Sequence, residues 1–550
     1  MRLKHMKRIW CIFAIITLII TMIACSDGNH KHHVTAKKIS DIPAYGDVLV
    51  ESSIGDASNL IPMLSSDSTS HEVCSLIYNG LVKYDKDYNI VGDLAKSWEI
   101  KDGGKKIIFH LRKGVKWHDG APFTASDVMF TYKTIIDPST PTAYAGRYKL
   151  VKKARVIDKY TFEVTYERPF APALISWGLE ILPEHLLKGM PVAKSPLTHA
   201  PIGTGPFKFR RWDTGSRIVL EANKDYFIKR PYLNGISYVI IPDQTTQFME
   251  LKAGNIDIMG LSPLQYLRQT NTLKFKRMYK KYKYLADGYT YLGFNLRRKP
   301  FDDKRVRQAI AYAIDKKEII KGVLLGLGKV ATGPYKPGTL WYNPDVKRYT
   351  YDRKKAMELL SKAGYMDHDG DGILDKDGRP FEFTIMTNQG NGMRKKAAII
   401  IQQRLAKVGI KVKIRIVEWT VFLKEFVDKR NFDAVILGWN ITQDPDLYTV
   451  WHSSNTRPGG LNFVGYSNPE VDRLLEEGRH TFDNEKRRKY YFRIQEILAQ
   501  DQPYVFLYIP YSLPAVSARF RGIKPAPAGI MYNIEDWYVP KALQRYHFLP

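Results

Sequence analysis

A histidine beside an aspartate, His118 and Asp119, is a pairing found in hydrolytic sites, where an imidazole moves protons and a carboxylate orients it. The stretch "VKWHDGAPFTASDVMF" offers a simpler interpretation. Asp119 is followed by Gly120, and Asp-Gly is a favoured hairpin turn because glycine tolerates positive φ. Thr124 with Asp127 then resembles the capping box that starts a helix. Without a nucleophile or metal partner nearby, this stretch predicts a turn and a helix start.

A second group of reactive side chains stands in the acidic loop "DHDGDGILDKDG". Carboxylates occupy positions 1, 3, 5 and 9 of a calcium-type loop: Asp367, Asp369, Asp371 and Asp375. Position 12, where a bidentate glutamate is usual, holds Gly378. Either this loop binds a structural calcium ion, or it is a polar turn between a helix ending at Gly364 and the strand "FEFTIM". Neither interpretation is catalytic, and we expect no other cofactor.

The N-terminal sequence is typical of a targeting segment. Basic residues precede an apolar run from Ile9 to Ile20, and about 12 apolar residues are fewer than the ~20 that span a bilayer. The tetrapeptide ending at Cys25 is similar to a bacterial lipobox, which implies a signal peptide over 1–24, a lipid on Cys25 and a tether over 25–44. The alternative is a plain secretory signal with an incidental cysteine. Cys74 would then stand alone in the mature chain, which excludes an intramolecular disulfide.

Composition predicts a folded, multi-lobed protein with a cationic surface. The 550 residues are too many for one small core, and 44% of them are hydrophobic. The formal charge is +28, and loss of the four basic residues in 1–24 would leave +24. Because lysine and arginine are scattered among acids and no nucleic-acid motif is present, we expect no nucleic acid partner. The surface is expected to face a membrane or wall.

Hydrophobic periodicity divides the chain into two halves. From about 47 to 243, short alternating segments separated by turn residues indicate hairpins with a few helices. The second half alternates helices and strands, with Asp303 and Asp352 as helix caps and "FDAVILGW" as a buried strand. We also expect helices near 393–408, 420–429, 469–478 and 484–500. This pattern indicates an α/β lobe.

Four stretches carry a family resemblance. They are "LAKSWEIKDGGKKIIFHLRKGVKWHDGAPFTASDVMF", "IGTGPFKF" at 202–209, "YLGFNLRRKPFDDKRVRQAIAYAID" at 291–315 and "GWNITQDPDLYTVWHSS" at 438–454. In this order they resemble the bacterial extracellular solute-binding proteins of the peptide, opine and nickel transporter class (family 5). The resemblance covers essentially the whole mature chain.

The resemblance implies an α/β fold of the periplasmic-binding-protein-like class II type. Such a protein is a Venus flytrap, in which two α/β lobes are joined by a hinge, and this class carries an extra β-rich subdomain. The implied segments are lobe I over 45–75, the extra subdomain over 76–204, lobe I again over 205–290, lobe II over 291–514, and a return to lobe I over 515–550.

The family pattern also implies ligand contacts. Relatives lay a strand beside a bound peptide where this chain has Ser66, Asp67 and Ser68, and line side-chain pockets where it has Trp419, Trp439 and Asn440. The aspartate that meets a peptide ammonium in dipeptide binders is replaced by Thr442, although Asp444 and Asp446 follow. The alternative for these two is a turn or a helix cap. Asn388 lies near a loop that supplies an arginine for the peptide carboxylate in dipeptide binders, and no arginine stands there.

The predicted function is therefore that of a non-enzymatic, monomeric substrate-binding component of an ABC importer. It would capture oligopeptides outside the membrane, in the periplasm or at the outer face of the cytoplasmic membrane, and deliver them to the permease while held by the lipid on Cys25. Rival ligands are an oligosaccharide or a nickel chelate. From other classes, the rivals are a secreted metal-assisted hydrolase using His118 and the acidic loop, and a polyanion-binding surface protein.

Overall fold

The computed structural model describes residues 41–441 and 443–546. Two seven-stranded mixed sheets and a four-stranded antiparallel sheet organise these residues. The predictions for the signal, Cys25, most of the tether and Thr442 fall outside the described ranges. Of the helices described, none is long and apolar enough to cross a membrane.

The first sheet combines strands from distant parts of the chain. In spatial order they are Tyr279–Lys281, Pro514–Ser517, Ile258–Gly260, Val48–Ser53, Gly235–Ile240, Arg217–Ala222 and Phe207–Asp213. Val48–Ser53 pairs in parallel with Gly235–Ile240, and the C-terminal strand pairs antiparallel with two neighbours. The buried Arg519 fixes this return, because it forms ion pairs with both Asp47 and Asp257.

The second sheet lies wholly between residues 284 and 512. Its strands in spatial order are Tyr284–Leu285, Tyr504–Ser512, Gly288–Phe294, Ala434–Asn440, Glu382–Asn388 and Lys411–Val417, with Gly328–Val330 added on Tyr504–Ser512. Apolar clusters cover both faces, which gives this lobe three layers. The chain passes between the two large sheets at 282–283 and again at Leu513, and these short crossings are where a hinge would bend.

Helices flank the sheets and begin at local caps. Those of eight residues or more are Ser68–Ile77, Ala125–Ile136, Gln244–Ala253, Lys304–Ala313, Arg353–Lys362, Gly392–Ala406, Pro469–His480 and Asn484–Asp501. Shorter ones are Ala145–Tyr148, Ala173–Ser176, Glu184–Leu187, Leu273–Met278, Lys316–Gly322 and Tyr448–Trp451. Asp303 and Asp352 cap their helices as predicted, and Thr124 with Asp127 forms a capping box. The helix predicted near 420–429 is only Trp419–Val421, continued by a wider π-helical turn over Phe422–Val427.

The four-stranded sheet is the core of the β-rich subdomain. Its strands in order are Ala95–Lys101, Lys106–Leu111, Thr161–Tyr166 and Val151–Asp158, and the hairpin of Val82–Tyr84 with Ile90–Gly92 lies beside it. One apolar cluster joins this subdomain to the first sheet. Together these sheets form an α/β fold of two lobes with an added β-rich subdomain. The exact segment boundaries stay predictions.

Candidate functional site

A cavity of about 870 Å³ lies where the two lobes and the β-rich subdomain meet. The first lobe contributes the segment around Ser66, the β-rich subdomain contributes Tyr84 and Tyr144, and the second lobe contributes the ends of the strands Gly288–Phe294 and Ala434–Asn440. Its volume falls in the range usual for small-molecule and peptide sites. Because all three parts of the chain line it, the cavity can form only in the folded, closed arrangement.

The segment Ser66–Ser68 presents free backbone groups to the cavity. Asp67 is buried and caps the helix Ser68–Ile77, accepting from the Ser70 N–H at 2.9 Å and from the Ser58 hydroxyl at 2.5 Å. Its carboxylate is therefore occupied by the fold. The exposed Ser66 has neither its N–H nor its carbonyl bonded to another described residue. An extended ligand can use both groups, as a strand added to a sheet edge would.

Trp419, Trp439 and Asn440 also line the cavity, and their contacts with a ligand stay predictions. The Trp419 indole lies against Gly55 of the first lobe, since a Cβ at Gly55 would lie 2.7 Å from its Cδ1 atom. Trp439 donates from Nε1 to the Tyr504 hydroxyl at 3.3 Å, and its ring lies tilted at 5.8 Å from the Phe463 ring. Trp439 thus belongs partly to the core, whereas Trp419 bridges the lobes at the cavity.

Asn388, Asp444 and Asp446, predicted as ligand contacts, do not line the cavity and are engaged elsewhere in the fold. The Asp446 side chain is fully buried, with its two oxygens each 2.9 Å from an Arg479 nitrogen and one of them 3.2 Å from Arg147 Nε. Burial by itself would raise the pKa of the Asp446 carboxyl, but Arg479 and Arg147 outweigh it and hold that pKa below its usual range.

Asp444 and Asn388 serve the fold in similar ways. Asp444 accepts from the Arg487 guanidinium at 3.2 Å and from the Asp446 N–H at 2.9 Å, which is the turn geometry of the alternative interpretation. Asn388 is buried, and its Oδ1 accepts from Arg394 Nη1 at 2.9 Å. All three residues therefore hold arginine side chains in place within the fold.

Sequence reasoning missed three charged residues on the cavity wall: Asp287, which is paired with Lys336, and Arg394 and Asp428. Arg394 is in the first turn of the helix Gly392–Ala406, six residues beyond the position where an arginine was sought. It forms no ion pair with a described carboxylate, and burial lowers its pKa, although guanidinium stays charged at neutral pH. Asp428 likewise has no ion pair among the described residues, and burial raises its pKa despite Arg430 and Lys424 nearby. The available signal in the sequence was Asn391, a helix-capping residue that stands three positions before Arg394 and so places Arg394 in the first turn of the helix.

Contacts that join the second lobe to the β-rich subdomain and to the first lobe hold the lobes closed. The Ala171 N–H of the β-rich subdomain donates to the Arg479 carbonyl at 2.7 Å, and the His480 ring bonds the Pro169 carbonyl at 2.8 Å. At the other side, Gly390 of the second lobe lies against Pro242 of the first. Gly390 has φ +83°, and a Cβ there would lie 2.2 Å from the Pro242 carbonyl oxygen. Closure thus requires glycine at this point.

Replacing Gly390 by alanine is expected to weaken ligand affinity about tenfold, because the added methyl group opposes the closed form. Gly378→Ala is the matched control. Gly378 also has a positive φ of +67°, but no atom lies within 4 Å of a Cβ built there. Both variants carry similar backbone strain, so titration calorimetry with the same ligand isolates the closure effect. Equal affinity of the two variants would contradict this role of Gly390.

His118 and Asp119 do not form a catalytic pair. The His118 Nε2–H donates to the Gly205 carbonyl at 3.0 Å, and Nδ1 accepts from the Gly203 N–H at 3.2 Å. Asp119 instead bonds His185 at 2.7 Å. These two bonds tie the "IGTGPF" segment to the turn. Gly203 also packs against the end of the helix Ser68–Ile77, so closely that a Cβ at Gly203 would be 1.9 Å from the Ile77 carbonyl oxygen. The turn prediction is correct, and the imidazole is structural.

His118 should make stability fall in mild acid. Burial lowers its pKa from 6.5 to about 4, so the folded state keeps the ring neutral while the unfolded chain takes up a proton. The stabilisation is complete above the unfolded pKa and is lost as pH falls toward the folded one. Between about pH 6.5 and about pH 5 the loss is about 1.5 kcal/mol. Urea unfolding at both pH values measures it, and His118→Gln should lose that much less.

The acidic loop lies outside the cavity. Oxygens of the exposed Asp367, Asp369 and Asp371 approach within 4.8 Å of one another, which fits a cation-binding loop. The same carboxylates accept from backbone N–H groups of the loop, as in a polar turn. Asp375 is not in this group, because its carboxylate bonds the His368 ring at 2.8 Å. Calcium binding by the first three stays a prediction, as does a part for Asp375 in it.

Comparison with known proteins identifies the family. The model for "Bacterial extracellular solute-binding proteins, family 5 Middle" matches residues 89–460. The oligopeptide-binding protein AppA of Bacillus subtilis (strain 168) is 36% identical over 555 residues, covering 98% of this chain and 100% of AppA. This chain belongs to family 5 of the bacterial extracellular solute-binding proteins. It is therefore the substrate-binding component of an ABC importer, and it works outside the cytoplasm.

Solved structures of family 5 proteins share the fold. The B. subtilis AppA structure in complex with a nonapeptide superposes with a TM-score of 0.87 and covers 91% of this chain and 100% of AppA. NikZ from Campylobacter jejuni in complex with Ni(L-His), 28% identical, gives 0.81 over 90% of this chain and 99% of NikZ. These relatives are binding proteins rather than enzymes, and the class II fold with an extra subdomain is confirmed.

Proposed function

We propose that this family 5 protein captures extended oligopeptides in the cavity and delivers them to the membrane permease of its importer. The observation that carries the proposal is the pairing of free backbone groups at Ser66 with unpaired charges of both signs, Arg394 and Asp428, on the cavity wall. Every peptide offers backbone groups and, at its ends or side chains, charges. This wall can thus bind peptides of varied sequence.

The aromatic lining supports the same ligand class. Trp419, Tyr84, Tyr88, Tyr144 and Tyr284 line the cavity and offer apolar area for side chains. The similarity to B. subtilis AppA, whose solved complex contains a nonapeptide, also favours a peptide over a sugar. A nickel chelate is less favoured, because the one group of three metal-ligating carboxylates identified in the described residues lies outside the cavity.

Native mass spectrometry of residues 27–550, purified from cells without refolding, tests the proposal. Denaturation should release a ladder of peptides, and their lengths would give the preferred ligand size. A released sugar or metal chelate, with no peptide and no mass shift on adding peptide mixtures, would overturn the peptide assignment while leaving the importer role intact. Adding peptide mixtures to the emptied protein is the control for loss during purification.

We further propose that a lipid on Cys25 holds the protein at the membrane. The support is the arrangement of basic residues, apolar run and lipobox-like tetrapeptide in the sequence. Cys25→Ala should move the protein from the membrane fraction to the soluble extracytoplasmic fraction, whereas Cys74→Ala should not. Retention of Cys25→Ala in washed membranes would sink this proposal without affecting ligand capture.

A further inference from the structure

A second cavity, of about 560 Å³, lies in the second lobe and shares no lining residue with the ligand cavity. Its floor includes the buried Gln502 and Phe506, and its sides come from the start of the helix Lys316–Gly322 and from the segment 347–351. This volume lies within the range of small-molecule sites. Neither the hinge nor the solute site accounts for it.

The charge around this cavity is strongly positive. Four cationic side chains line it: Lys316, Lys317, Lys347 and Arg348. The one carboxylate in the lining, Asp315, already accepts the Glu318 N–H at 3.0 Å as a helix cap. Within the described ranges, none of the four cations forms an ion pair with a carboxylate. A concentration of unpaired positive charge in a concave site attracts anions.

Lys316 is the residue in this cavity that most clearly lacks a partner. Its side chain is partly buried, and no described residue forms a hydrogen bond or an ion pair with it. Burial lowers its pKa to about 8, and no ion pair with a described carboxylate offsets the loss of water. An ammonium group that loses water without gaining a partner is destabilised, so an anion that enters the cavity would supply the missing interaction.

The remaining walls are aromatic. Tyr342, Tyr349, Tyr351 and Phe506 all line the cavity, and the Lys347 ammonium lies 5.0 Å from the centre of the Tyr349 ring. Flat apolar faces beside cations favour a ligand that combines a planar ring with negative charge. A bare inorganic anion would leave most of this volume and these faces uncovered.

We propose that the second cavity binds a small anion in which a phosphate or carboxylate is attached to a planar ring, with Lys316 as the residue that meets the charge. This site is separate from the solute cavity and does not depend on which solute the protein carries. The chemistry is that of a soluble small molecule, because the cavity volume of about 560 Å³ is that of a small-molecule site.

Three probes separate the contributions of charge and ring: phenyl phosphate, inorganic phosphate and phenol. Titration calorimetry of the mature domain at low ionic strength should show saturable binding of phenyl phosphate, at least about tenfold tighter than either of the others. Lys316→Met keeps the apolar stem and removes the charge, and should weaken phenyl phosphate binding at least about tenfold. Lys321→Met, on the exposed side of the same helix, should leave it unchanged.

Circular dichroism and urea unfolding check that each variant is folded. If Lys316→Met does not fold, Lys347→Met serves as the second test and should also weaken phenyl phosphate binding. Saturable binding of phosphate equal to that of phenyl phosphate would overturn the ring requirement. No saturable binding of either anion, or equal binding by wild type and the folded lysine variants, would overturn the site.

Discussion

Replacing Asp446 by alanine is expected to lower the free energy of unfolding by about 3–5 kcal/mol. The substitution leaves the buried Arg479 and the partly buried Arg147 without their shared carboxylate. Arg479 itself is only 2% exposed, so water cannot replace the lost partner without opening the structure. Urea unfolding at neutral pH, followed by circular dichroism, gives the measurement.

Glu477→Ala is the matched control for Asp446. Glu477 also pairs with an arginine, Arg473, at 2.6 Å, but both side chains are exposed, so its loss should change stability by no more than about 0.5 kcal/mol. If Asp446 were instead a ligand contact, its alanine variant would keep wild-type stability and lose ligand affinity. That result would contradict the structural role assigned here.

Arg147→Met separates closure from folding. Arg147 belongs to the β-rich subdomain and reaches Asp446 of the second lobe, whereas Arg479 lies in the same lobe as Asp446. Its removal should disfavour the closed form and weaken ligand affinity, while the Asp446–Arg479 pair keeps the second lobe stable. Small-angle scattering of the liganded variant would show a more open population than wild type.

Replacing Arg394 by methionine is expected to weaken peptide affinity about 10- to 100-fold, because a charge-assisted hydrogen bond contributes about 1.5–3 kcal/mol. Arg394 lines the cavity and has no carboxylate partner among the described residues, so an anionic group of the ligand is its natural partner. Gly438 leaves room for it, since a Cβ there would lie 3.0 Å from Arg394 Nη2. Titration calorimetry with a peptide recovered from the native protein measures the change.

Lys395→Met, the neighbouring exposed position on the same helix, is the control and should bind like wild type. A peptide amidated at its C-terminus shows which anion Arg394 meets. If the wild type loses affinity for the amidated peptide and Arg394→Met does not, the partner is the terminal carboxylate. Wild-type affinity of Arg394→Met for every recovered peptide would refute the assignment.

The family, the two-lobed plan and most helix starts were predictable from the sequence. Asp303, Asp352 and Thr124 act through bonds to atoms at most three residues away, so their spacing alone carries the information. The hairpin turn at Asp119 is equally local. Ser66 and Trp419, which line the cavity, were named from the family resemblance and not from local sequence spacing.

Only the tertiary structure decided what the charged residues do. Asp444 and Asp446 look alike in sequence, yet each is paired with an arginine that is distant in sequence. Asp444 binds Arg487, 43 residues away, and Asp446 binds Arg479, 33 residues away. Arg394 was overlooked because its direction into the cavity depends on how the helix Gly392–Ala406 lies against the second sheet. A side chain's charge is fixed by its type, but its partners and its exposure to water are fixed only by packing, and these decide whether it stabilises the fold or meets a ligand.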